Sequence, residues 1–95
     1  MNDELLTIRV TTDWLELEVL GEPFVELTMR GYAPLLPVRN MATDEEGKLY
    51  ISASSLARKI EPLRLENDGN FAGLKFKVRK ESAERTASYE LEALV

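Results

Sequence analysis

The stretch Leu74-Lys75-Phe76-Lys77-Val78-Arg79 alternates apolar and cationic residues without a break. A period of two belongs to a strand with one buried face. Leu74, Phe76 and Val78 are therefore expected inward, and Lys75, Lys77 and Arg79 outward, with successive cations about 7 Å apart. Downstream, Tyr89, Leu91 and Ala93 alternate with Ser88, Glu90 and Glu92, which predicts a C-terminal hairpin. A loop over 82–85 sets Lys77 opposite Glu90 and Lys75 opposite Glu92. Cross-strand ion pairs of this kind stabilise a hairpin by roughly 0.2–1 kcal/mol each. Upstream, Asn67-Asp68-Gly69-Asn70 ends the one good helix signal. Ser54 or Ser55 can cap its first turn, and Leu56, Ile60 and Leu63 fall on one face. Pro62 removes a backbone donor, so a helix over about 54–60 is expected, then a kink or second turn to about 66.

Further upstream the same alternation recurs. Leu6, Ile8 and Val10 read as one strand; Leu15, Leu17 and Val19 as a second; Val25, Leu27 and Met29 as the inward face of a third. Thr11-Thr12-Asp13 and Gly21-Glu22-Pro23 supply turns, and connections this short predict an antiparallel meander. Residues 31–47 are less regular. Pro34 and Pro37 bracket Leu35-Leu36, and proline inside a strand points to an edge strand near 35–39, or else to a functional loop. A short strand over 48–52 follows, with Leu49 and Ile51 inward. The expected fold is mainly β: a five- to six-stranded antiparallel curled sheet or OB-like barrel, with one short helix (about 54–66) before the C-terminal hairpin. The 95 residues are expected to form a single domain, 1–95.

Composition narrows the chemistry. The chain has neither Cys nor His. Disulfides, thiolate or imidazole zinc sites, Cys nucleophiles and Ser–His–Asp triads are thereby excluded. Absence of Cys, of a long apolar run and of a signal-peptide pattern leads to the expectation of a cytoplasmic protein with no membrane partner. The net charge of −5 is uneven: residues 1–47 carry three basic against ten acidic side chains, and residues 48–85 nine against five.

No catalytic constellation emerges. Asp44-Glu45-Glu46 lacks the spacing of a calcium loop. Glu46-Gly47-Lys48 has a spelling found in some metal-dependent nucleases, but no upstream Asp accompanies it. Ser55 and Lys59, one helical turn apart, read as a cap and a surface lysine. The expectation is a non-enzymatic protein with no metal and no cofactor.

Binding residues are easier to nominate. Alternation places Trp14, Tyr32 and Tyr50 off the core face, with Arg30 and Lys48 beside two of them in sequence. Together with Lys75, Lys77 and Arg79 these form a candidate stacking platform with a cationic rim, suited to single-stranded nucleic acid. Residues 49–91 resemble small viral, plasmid-borne and archaeal single-stranded DNA-binding or replication-associated proteins with OB-like sheets. The carrying residues are Ser55-Leu56, Leu63, Gly73, Lys75-Phe76-Lys77-Val78-Arg79 and the run from Thr86 to Tyr89. That resemblance implies a sheet face that stacks bases among Lys75, Lys77 and Arg79; the acidic first half departs from it. The alternative is an acidic protein-interaction module: an adaptor, inhibitor or viral accessory protein, with a homodimer as one form. Its motivation is the Pro34-Leu35-Leu36-Pro37 edge and the acidic first half, which could also mimic nucleic acid.

Overall fold

In chain order the computed structural model runs β1 (Leu6–Thr7), β2 (Leu15–Val19), β3 (Phe24–Thr28), β4 (Gly31–Asn40), β5 (Glu46–Tyr50), α1 (Ser54–Glu66), β6 (Lys75–Lys80) and β7 (Tyr89–Ala93). It describes residues 6–29, 31–52, 54–84 and 86–94. The strands form one curled sheet in the order β1-β5-β4-β2-β6-β7, with β3 attached to β4. Its ends, β1 and β7, do not pair, so the sheet does not close into a barrel. The fold is thus mainly β with one helix ahead of a C-terminal hairpin, in seven strands rather than five or six.

Alternation assigns the faces correctly in β2 and β6. Leu17, Val19, Phe76 and Val78 are buried and join Leu36, Val38, Leu49 and Leu74 in one core cluster. Helix α1 adds Leu56 and Ile60 to it. The helix runs unbroken through Pro62, which replaces the expected kink.

Three pairings differ from expectation. The first three strands are not a meander. β2 and β3 do not pair; both lie along the same side of β4, β2 against 38–40 and β3 against 31–35. Gly21-Glu22-Pro23 is an outward bulge in one long line of chain, not a reversal. β1 is only two residues long and pairs with β5, in the sheet's one parallel ladder. Finally, the C-terminal hairpin is shifted by two residues: Lys77 faces Glu92 and Arg79 faces Glu90. Its connection is longer than four residues, because the last paired positions are Lys80 and Tyr89. A shift of two preserves which face each side chain occupies.

The prolines of β4 do not confine it to an edge. β4 has β2 and β3 on one side and β5 on the other, and Leu35 and Leu36 are both fully buried. The reason lies in where each missing N–H points. In an antiparallel pair the N–H and C=O of a residue face the same neighbour. The Pro37 C=O accepts from Leu20 N–H (2.8 Å), so its missing donor falls at the bulge between β2 and β3. The Pro34 C=O accepts from Ile51 N–H (3.1 Å), one residue beyond β5. Each proline therefore spends its missing hydrogen bond where a ladder already ends.

Candidate binding surfaces

The sheet has an inner face, which carries the core and receives α1, and an outer face. Register places Glu18 between Arg39 and Lys75, Glu16 beside Lys77, Lys77 beside Glu92, and Arg79 beside Glu90, all on the outer face. Glu46 also faces Arg39, so four cations meet five carboxylates on this face. Lys77 Nζ lies 3.5 Å from Glu92 and Arg79 Nε 2.6 Å from Glu90. Arg39 Nη2 lies 2.6 Å from Glu18, and its other terminal nitrogen pairs with Asp44. Hydrogen bonds to Glu18 first and Asp44 second raise the Arg39 pKa above its ordinary value. Lys75 is exposed and makes no ion pair among the described residues.

Trp14 belongs to the same patch, but its ring is occupied. Lys77 Nζ stands 4.6 Å and the Arg79 guanidinium 4.4 Å from the ring centroid. Cation–π contacts of this kind stabilise by about 0.5–1 kcal/mol at exposed sites, and they compete with a stacked base for the indole. The remaining nominated residues are dispersed. Lys48 is buried and bonds both oxygens of the Glu26 carboxylate, at 2.7 and 3.0 Å. Tyr50 lies opposite Leu35 on the outer face, in β5, three strands from β6 in the sheet order. Tyr32 occupies the inner face, opposite Leu27, and is 76 % exposed. Arg30 lies outside the described residues. The structure thus brings Trp14, Lys75, Lys77 and Arg79 together and leaves Tyr32, Lys48 and Tyr50 elsewhere.

The more distinctive surface is one that sequence reading placed inside. Val25 and Leu27 point to the inner face but are each 65 % exposed, and Met29 at the turn is fully exposed. Here the β3–β4 arm extends past the part of the inner face that holds the core. Its cross-strand pairs Val25–Pro34 and Leu27–Tyr32 continue the apolar surface of the sheet into solvent. Alternation identified the apolar face of β3 and could not reveal that no described residue covers it. The Leu35-Leu36 pair, read as an exposed edge, is interior; two successive apolar residues signal burial on both faces.

β3 is also a free edge. From Phe24 to Leu27 its backbone pairs with β4 alone among the described residues. The other edges carry protection: β1 is two residues long, and β7 presents Glu90 and Glu92. β3 has one charged residue, Glu26, and that is tied to Lys48. Among the described residues no cluster of acidic side chains could hold a metal ion, and no helix is long and apolar enough to cross a membrane. No protein-family model, curated protein or solved structure matches the chain.

Proposed function

We propose that the protein is a small non-enzymatic binding module that takes up an extended segment of another polypeptide along the free edge of β3. The observation that carries this reading is the coincidence of an unpaired backbone edge over Phe24–Leu27 of β3 with exposed apolar side chains at positions 25 and 27, continued by Met29 at the turn. Main-chain hydrogen bonds to such an edge supply affinity, and alternate side chains supply selectivity. An unguarded apolar edge is otherwise a route to aggregation. The partner segment is apolar at alternate positions and net basic, because the chain it meets carries −5 overall and −7 over residues 1–47. A second copy fits less well, since it brings another −5.

Single-stranded nucleic acid is the other ligand class raised by the sequence. The carboxylates interspersed among the cations of the outer face and the occupied Trp14 ring support it less. A tight backbone contact needs a surplus of cations and weakens steeply with salt.

Selection from a library of random extended peptides on immobilised protein tests the proposal. Selected peptides should share alternating apolar residues interspersed with Lys or Arg. Their binding should fall at least about tenfold in Leu27→Glu/Met29→Glu and persist in Lys75→Glu/Lys77→Glu. Failure to obtain a consensus, or binders indifferent to Leu27→Glu/Met29→Glu, would refute it. So would a concentration-dependent dimer, abolished by the same double variant, in sedimentation. Salt-sensitive oligonucleotide binding at about 50 mM salt, lost in Lys75→Glu/Lys77→Glu, would favour the nucleic-acid reading instead.

A further inference from the structure

The end of the sheet that fails to close contains a cavity of about 560 Å³, within the usual size range for small-molecule sites. The segment after β1 crosses above it from β5 towards β6, where Thr11 C=O accepts from Lys80 N–H at 2.8 Å. Two cations line it, Arg9 and Lys80, and neither forms an ion pair among the described residues. Arg39, Lys48, Arg64, Lys77 and Arg79 each pair with a carboxylate, whereas these two, like Arg58, Lys59 and Lys75, do not among the described residues. None of the described lining residues carries a carboxylate, although the chain is acidic; Glu81 and Glu84, close in sequence, stay outside the lining.

Hydroxyl groups complete the polar wall. The Thr11 oxygen accepts from Asp13 N–H (3.2 Å) and the Ser82 oxygen from Glu84 N–H (3.4 Å). Each hydroxyl keeps its own hydrogen to donate. Leu49 and Leu56, both nearly inaccessible to solvent, form an apolar floor.

We propose that this cavity binds a small organic phosphate monoester, independently of polypeptide docking on β3. Two cations and several hydroxyl donors match a group with three terminal oxygens and a charge of about −1.5 to −2 at neutral pH. The volume exceeds what the phosphate alone needs, and the leucine floor suits an organic body. Polypeptide docking uses Val25, Leu27 and Met29, none of which lines this cavity. The two sites therefore fail or succeed separately.

The test is a titration of the protein with adenosine 5′-monophosphate, followed by backbone amide NMR. Controls are adenosine, inorganic phosphate, and sodium sulfate at matched ionic strength. Saturable shifts confined to 7–12, 49–50, 56, 80–83 and 89 are expected, with adenosine and sulfate inert and inorganic phosphate weaker. Affinity should fall about tenfold or more in Arg9→Gln/Lys80→Gln. Both side chains are at least partly exposed, so that variant retains the fold, and its amide spectrum in the absence of nucleotide reports this. Absence of saturation by about 10 mM nucleotide would overturn the proposal. Equal binding by adenosine, by sulfate or by the double variant would also overturn it. Inorganic phosphate binding as tightly as the nucleotide would overturn the organic body and reduce the site to a bare anion site.

Discussion

Gly47 is where a single missing side chain holds two elements together. A Cβ at this position would stand 2.6 Å from the Leu6 carbonyl oxygen and 2.7 Å from the end of the Ile8 side chain. The backbone oxygen cannot move aside without lifting β1 from β5. Gly47→Ala is therefore expected to cost about 1–3 kcal/mol, the range for overpacking a filled site. Urea denaturation measures that loss, and faster amide exchange at Ile8, whose N–H donates to Lys48 C=O, locates it at the β1 ladder. Unchanged stability would mean that β1 does not dock as described. In the sequence this glycine reads as an ordinary loop residue, because the contact that requires it arrives from forty residues upstream. The neighbouring Lys48 was equally illegible: its place in the alternation gives its face, whereas its burial follows from Glu26, which reaches it across β4.

At the scale of elements, α1 carries a local ion pair on its exposed side. Glu61 and Arg64 are bonded one turn apart, and that hydrogen bond holds the Glu61 carboxyl below its ordinary value of 4.5 and raises the Arg64 guanidinium. A carboxyl whose folded pKa is depressed adds stability above its unfolded value and loses that contribution as pH falls through the folded value. The stability difference between the native chain and Glu61→Gln should therefore be constant above about pH 6 and vanish towards about pH 2. Salt should shrink it, since the pair is solvent-exposed. Thermal unfolding of both chains across that range checks the sign; a gap that widens on acidification would contradict it. Helix α1 was legible because its signals are local: a serine cap, apolar residues at helical spacing, and a polar turn at Asn67–Asn70. β4 was not. Its prolines look like edge markers until β3, β2 and β5 are in place, and only then do their missing donors fall at ladder ends. The hairpin register failed by two residues for a related reason. Period-two patterning fixes a strand's face but is unchanged by any even shift.

For the whole molecule, faces were readable and neighbours were not. β2 bonds to β4 and β6, so each of its partners is separated from it in sequence by other elements. No alternation within β2 encodes that choice. The consequence for function is large. A cationic row that looks free in one strand becomes, in the assembled sheet, part of a mixed array with Glu16, Glu18, Glu90 and Glu92. An apolar row that looks internal, on β3, becomes the least protected part of the surface. The described surface thus shows one sheet face where cations and carboxylates interleave and one exposed strand edge, and the edge is where a partner gains most. Hydrogen exchange of the β3 amides, with and without a selected basic peptide, tests this directly. In the free protein the amides of Phe24–Leu27 that do not bond to β4 should exchange rapidly, as unpaired edge groups do. Saturating peptide should slow them while leaving Lys75–Lys80 unchanged. β3 amides already protected in the free chain, or protection that appears on β6 and β7 instead, would contradict the account.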